Sequence, residues 1–375
     1  MKKILFIALS FLLLSDLFIS CKKTETTVPV NPTDTTNYDT VVCPHTNNLH
    51  VQLLSDTVVK NGFDYISITV LDDSGNNVTR QCNLYLNDVI LIDSVYVPVS
   101  LGNQMVTAKI PSCNIPSNQK AFTVVASDFT QKILVEDLTG TWCGFCPRVA
   151  NSLDQYKPSH PNCISTTIHG GNNTDPMCFQ YYSTFNSHFA ASGYPTAILN
   201  RKKAWSENTA DLTKALENGA PLALSISSDT SGASVTATIK VKFGVSTSNA
   251  MKIVIAVVEN GIIYAQDNYY SPSGGYTPYL YNGVNPINNF VHNGVLRKTV
   301  TDLFGDVIPQ VSITKGNEYT VTKTIPLSGN TAFGTYSSVP SKCGIVAFVV
   351  DGATNSPKGL LNVQYADLGA DVGYN

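Results

Sequence analysis

Apolar and polar positions alternate from about His45 to Ser127. Ile66, Ile68 and Val70 share one face, the turn Asp72-Asp73-Ser74-Gly75 follows, and Leu84, Leu86, Phe122 and Val124 repeat the two-residue period. Short strands between regular turns predict an immunoglobulin-like β-sandwich over residues 45–128. Asp72, Asp73, Asn76 and Asn77 form no complete set of calcium ligands, so that turn reads as a solvated hairpin.

The period changes over 129–220, where strand and helix signals alternate as in an α/β unit. Lys132-Ile133-Leu134-Val135 reads as a strand, and Val149, Ala150, Leu153 and Tyr156 then fall on one helical face that Pro158 ends. Cys163 to Ile168 is a second strand, Phe179 to Ala191 a helix, and Thr196 to Leu199 a strand entered from Gly193-Tyr194-Pro195. Ser206 caps a further helix carrying Leu212, Ala215 and Leu216, with Gly219 at its end. Beyond 221 helical periodicity vanishes. Seven strand patterns, at 222–227, 235–243, 253–258, 295–300, 319–325, 345–350 and 360–365, suit a second immunoglobulin-like sandwich over 221–375. The connection from Gln266 to Phe290 holds Tyr269, Tyr270, Tyr276, Tyr279 and Tyr281. It is either a binding surface, for which tyrosine suits, or a loop folded over its own domain.

The N-terminus carries a different message. Met1-Lys2-Lys3 followed by an apolar run to Leu14 is a charged n-region and a core of secretory length, so residues 1–20 read as a signal peptide. Leu17-Phe18-Ile19-Ser20-Cys21 resembles a bacterial lipoprotein cleavage box, which makes Cys21 the expected lipidated residue. Residues 21–44 are polar and aperiodic, a tether reaching about 25 Å as a coil. Net charge is −3 with no long basic run, which excludes a nucleic-acid binder.

Nine cysteines in an exported chain matter more than overall charge, because disulfides persist in such a setting. Setting aside Cys21, Cys143 and Cys146 leaves Cys43, Cys82, Cys113, Cys163, Cys178 and Cys343, whose connectivity sequence cannot choose. Cys163 and Cys178 flank one strand and are the expected local pair. Cys143 and Cys146 have two residues between them at the start of a helix, where unpaired N–H groups and the helix dipole favour an anion. Cys143 is then the nucleophile and Cys146 the resolving thiol of a dithiol exchange. Two other readings compete: a permanently oxidised staple, and a zinc site using Cys143, Cys146, Cys163 and Cys178 with His160 or His169. Export favours oxidation over zinc, so no metal and no cofactor is expected. His169, Asn172 and Asp175 border the dithiol in a loop after the second strand. A lone loop histidine is commonly solvated, and His292 reads as a packing residue.

Trp142-Cys143-Gly144-Phe145-Cys146 resembles the thioredoxin active-site pattern, with Phe145 where that family usually has Pro. Gly193-Tyr194-Pro195-Thr196 looks like the family's later turn. The resemblance implies a cis Pro195 facing the dithiol, a peptide substrate received beside Trp142, Tyr194 and Pro195, and Asp137 as the buried carboxyl that serves Cys146. The chain from about Gln131 onward is also similar to the outer membrane protein 28 family of envelope lipoproteins. That likeness rests on Glu136 to Arg148, Gly193 to Thr196, Asn200-Arg201 and Val291-His292-Asn293-Gly294-Val295-Leu296-Arg297. The expected fold is therefore multidomain, a central α/β thioredoxin-like domain between all-β immunoglobulin-like sandwiches. The expected function is a membrane-anchored thiol–disulfide oxidoreductase acting on exported protein disulfides with an unidentified redox partner. The alternative is a surface binding protein or adhesin with an inert disulfide. Either sits in the cell envelope, held to the outer membrane by its lipid.

Overall fold

The structure is a computed structural model that describes residues 43, 46–111, 113, 115–231, 234–352 and 359–374. The expected signal peptide, Cys21 and nearly all of the tether lie outside the described residues. Eight strands come first: β1 (His50–Leu53), β2 (Thr57–Lys60), β3 (Ile66–Leu71), β4 (Asn83–Leu86), β5 (Val89–Leu91), β6 (Val95–Tyr96), β7 (Gly102–Lys109) and β8 (Lys120–Ala126). They form a three-stranded sheet, β1-β3-β6, and a five-stranded sheet, β2-β8-β7-β4-β5. Ile66, Ile68 and Val70 on alternate positions of β3 enclose one core with Val106, Phe122 and Val124, as period-two patterning requires.

The next elements are β9 (Ile133–Thr139), α1 (Pro147–Tyr156), β10 (Cys163–His169), α2 (Tyr182–His188), β11 (Thr196–Leu199), β12 (Lys203–Trp205) and α3 (Thr209–Leu216). After them come β13 (Leu222–Ser231), β14 (Ser234–Phe243), β15 (Met251–Glu259), β16 (Ile262–Gln266), β17 (Ile287–His292), β18 (Val295–Thr299) and β19 (Asp306–Val307). The last are β20 (Glu318–Pro326), β21 (Ser328–Asn330), β22 (Thr335–Ser337), β23 (Cys343–Asp351), β24 (Leu360–Asp367) and β25 (Asp371–Val372).

The sheet order overturns the expected fold class. A thioredoxin-like α/β centre between separate sandwiches is not what forms: the fold is mostly β, 46% strand against 13% helix, and distributed over several sheets. Strands β12-β11-β9-β10 continue without a break into β18-β15-β23-β24, with β19 also on β15, as one nine-stranded sheet. The join is the parallel pair of β10 with β18, where Thr167 faces Val295 and Thr167 N–H donates to Gly294 C=O at 2.7 Å. β15 and β23 read as unbroken apolar runs because both faces are covered. On one face Ile253, Ile255, Ile345 and Val349 meet Leu222, Val235 and Ile239 of the four-stranded sheet β20-β14-β13-β25. On the other, Val254, Val346 and Phe348 meet Leu134 and Ile164.

Two smaller expectations also change. The helix expected over 179–191 shortens to Tyr182–His188, because Phe179 N–H is taken by His169 C=O at 2.8 Å and Phe179 pairs as an isolated bridge with Thr331. Cys163 and Cys178 are not a disulfide; both are free and buried. Cys163 opens β10 and Cys178 sits beyond its other end, and seven strand residues span about 20 Å, well past disulfide reach. Cys82 and Cys343 are also free, while Cys43 and Cys113 are each disulfide-bonded.

Gly294 makes the joint possible. Its φ is +66°, and a Cβ there would lie 2.6 Å from the Ser165 carbonyl oxygen of β10. Gly294→Ala is expected to cost about 3 kcal/mol, from the left-handed backbone and the collision together. Chemical denaturation of parent and variant measures this; an unchanged midpoint would show that the two strands can separate freely here.

Candidate functional site

The chain leaves β9 through Gly140-Thr141-Trp142 and turns into α1, with Pro147 at the first helical position and Cys146 as the N-cap residue. Cys143 and Cys146 form a disulfide, S–S 2.07 Å. Cys143 is only 4% exposed and Cys146 2%. Trp142 donates its indole N–H to Gly170 C=O at 3.0 Å and packs at a tilt of 36° against Tyr194, ring centres 5.6 Å apart. The Tyr194-Pro195 peptide is cis. Asp137, on β9, lines the same cavity as Cys146.

The disulfide is shut in by the tyrosine-rich connection between β16 and β17. Asp267 N–H donates to Thr141 C=O and Tyr269 N–H to Gly144 C=O, each at 2.8 Å. Gln266 Nε2 donates to the carbonyls of Gly140 and Cys143 at 3.2 and 2.9 Å. A Cβ on Gly144 would lie 2.3 Å from the Tyr269 ring, so the strap rests directly on the segment between the two cysteines. Phe145 is its anchor, edge-on to Tyr269 and Tyr276 with ring centres 5.1 and 4.8 Å away. Asn268, fully buried, holds the strap's own shape by donating to the carbonyls of Leu280 and Val284. Tyr269, Tyr276 and Tyr279 keep outer faces 41–53% exposed. The loop is thus folded over its own chain, the second of the two expected arrangements.

Sequence reasoning passed over the strap's polar anchors. Gln266 and Asn268 are amides flanking an aromatic run, and Phe145 is an aromatic where proline is usual; together those were the available signals. His169, expected as a solvated loop residue, instead ends β10 and is 1% exposed. His169 Nδ1 lies 2.8 Å from Asp175 Oδ2, and Asp175 also accepts from the N–H groups of Thr141 and Met177. Burial works to raise the Asp175 carboxyl, but His169 and these donors hold it below the usual range. His292 lies beside His169, ring centres 5.1 Å apart. Burial first, and His169 second, push it down to about 3.

Asp137 is displaced the other way. Burial, then the negative charge of Glu207, raise it to about 8 against the opposing pull of Arg148. A carboxyl that is neutral in the fold but ionised in the unfolded chain makes stability fall as pH rises from about 4 and level off above about 8. Asp137→Asn is expected to remove this decline. Melting temperature against pH for both chains measures it, and parallel curves would show that Asp137 does not titrate in that window.

The profile of the outer membrane protein Omp28 family matches residues 182–372. Among solved structures, HBP35 of Porphyromonas gingivalis is similar with 18% identity and a TM-score of 0.48, over 64% of this chain and 76% of that one. The Yersinia pseudotuberculosis adhesin InvE aligns at 10% identity with a TM-score of 0.16, over 86% of this chain and 60% of that one. No curated protein matches significantly.

Proposed function

Because this chain belongs to the Omp28 outer membrane protein family, we propose that it is a binding protein of the cell envelope whose Cys143–Cys146 disulfide is an internal staple. The observation that carries this reading is the strap: two backbone hydrogen bonds and a tyrosine ring cover the disulfide on the side of Thr141 and Gly144, and Cys143 is only 4% exposed. The outer faces of Tyr269, Tyr276 and Tyr279 then supply contact area for a partner polypeptide at low entropic cost. Exposed Val89, Ile90, Ile92 and Val99, between β5 and β7, form a second apolar stretch of the kind that marks interaction sites. The deciding experiment is turnover of a model protein disulfide by the purified full chain. Activity no greater than that of Cys143→Ser supports binding; turnover that this substitution abolishes overturns it.

One observation favours thiol–disulfide exchange as a second reading. Asp137, raised to about 8, shares a cavity with Cys146 and could carry the proton of a resolving thiol. Exchange would require the strap to lift, and its substrates would be exported protein disulfides with a separate electron donor.

Membrane attachment through a lipidated Cys21 belongs to this proposal. Among the described residues no helix is long and apolar enough to cross a membrane. Cys21→Ser is expected to move the chain from the membrane to the soluble fraction and to abolish incorporation of labelled fatty acid. Membrane retention of that variant would exclude the anchor.

A further inference from the structure

Behind the disulfide, between α1, β10 and β17, lies a cavity of about 400 Å³. Three of its wall residues, Asp137, His169 and His292, are 2%, 1% and 4% exposed. Each has a buried polar atom, Asp137 Oδ1, His169 Nε2 and His292 Nε2, with no hydrogen-bond partner among the described residues. Orphaned buried polar atoms are uncommon and costly, about 1–3 kcal/mol apiece. Three around one space indicate that something completes them.

We propose that this cavity binds one divalent transition-metal ion of the zinc, copper or nickel class through Nε2 of His169 and Nε2 of His292.

The His169 imidazole is arranged as a metal ligand requires. His169 has its Nδ1 on the Asp175 carboxylate, which is itself fixed by two backbone N–H groups. His292 faces His169 with its own Nε2 buried and unpartnered. The carboxylate behind His169 orients that ring with Nε2 free to coordinate. The rings are 5.1 Å apart, centre to centre, at 68°. Two imidazoles each bound about 2.0 Å from one tetrahedral ion have ring centres about 5 Å apart, so the spacing fits.

The ligand chemistry selects the ion. The unpartnered donors of both histidines are imidazole nitrogens, which suit zinc, copper and nickel, whereas calcium and magnesium take oxygen ligands. Among the described residues no three His, Cys, Asp or Glu side chains are placed to hold one ion together, so the two imidazoles are its protein ligands. The ion therefore keeps positions for water or an incoming ligand, with the Asp137 carboxyl on the same wall. Exposed Val291 and Asn293 at the cavity rim leave a route from solvent. Cys146 shares the wall, but its sulfur is committed to Cys143.

The test uses the full chain, stripped with chelator and titrated calorimetrically with Zn(II), Ni(II) and Cu(II) separately. One equivalent is expected to bind, and the Cu(II) form is expected to show coupling to two nitrogen ligands by electron paramagnetic resonance. His169→Gln and His292→Gln are each expected to weaken binding at least about 100-fold, and Asp175→Asn about 10- to 100-fold. His50→Gln and His160→Gln, away from the cavity, should leave it unchanged. Absence of stoichiometric binding by the parent to all three ions overturns the proposal, as does unaltered binding by the folded His169 and His292 variants. Should those variants fail to fold, the nitrogen count in the parent's copper spectrum decides: two supports the site, none refutes it.

Discussion

Arg201→Met is expected to destabilise the fold by about 3–5 kcal/mol, the cost of leaving one partner of a buried ion pair alone. Arg201 Nε and Nη2 donate to the two Glu136 oxygens at 2.9 and 2.7 Å, and both side chains are 4% exposed. Nη1 also reaches Leu303 C=O at 3.3 Å, and the guanidinium lies 4.6 Å from the centre of the Phe348 ring. Glu136 belongs to β9 and Phe348 to β23, so this one group ties distant strands of the nine-stranded sheet together. Met keeps the apolar stem but strands the Glu136 carboxylate without water or a cation. The double variant Glu136→Met/Arg201→Met is expected to regain most of the loss, since no charge is then buried unpaired. Urea midpoints of the four chains close the cycle; additive losses would mean that the two residues act separately.

Tyr269→Ala is expected to speed reduction of the Cys143–Cys146 disulfide by at least about tenfold. A small thiol must reach a sulfur in line, and the strap occupies the approach, so reduction waits on local opening. Full burial of a large apolar side chain is worth about 1.5–3 kcal/mol, so the partly exposed Tyr269 ring contributes about 1.5 kcal/mol to closure, and each 1.4 kcal/mol is about tenfold in the open population. Gly144→Ala is expected to act in the same direction by forcing the ring off its seat. Timed alkylation after a pulse of reductant reads both. Identical rates in parent and Tyr269→Ala would show that the strap does not gate the bond, and the exchange reading would gain.

Local features were legible where one residue type dictates the outcome. The alternation of Ile66, Ile68 and Val70 announces a half-buried strand, and two cysteines with two residues between them announce a bond that the structure contains. The fold class was misread because strand neighbours are not local. The runs in β15 and β23 identify buried strands but carry no mark of which edge each will meet. The join of β10 to β18 turns on the absence of one Cβ at Gly294, which reads in sequence as any hairpin glycine. His169 was assigned to a loop because Gly170 and Gly171 follow it, yet pairing with Thr139 carries the strand one residue further. The Cys163–Cys178 pairing failed for a similar reason: sequence nearness ignores the length of the strand between them.

The shared sheet also dictates when the protein can finish folding. Synthesis delivers β9 to β12 well before β18, and Val295 arrives 128 residues after Thr167, the position it pairs with. Until then β10 carries a bare edge rich in β-branched residues, a template for stray pairing. The nascent chain therefore depends on being kept apart from its neighbours during passage, and a copy truncated before β18 should aggregate rather than persist as a shorter soluble form.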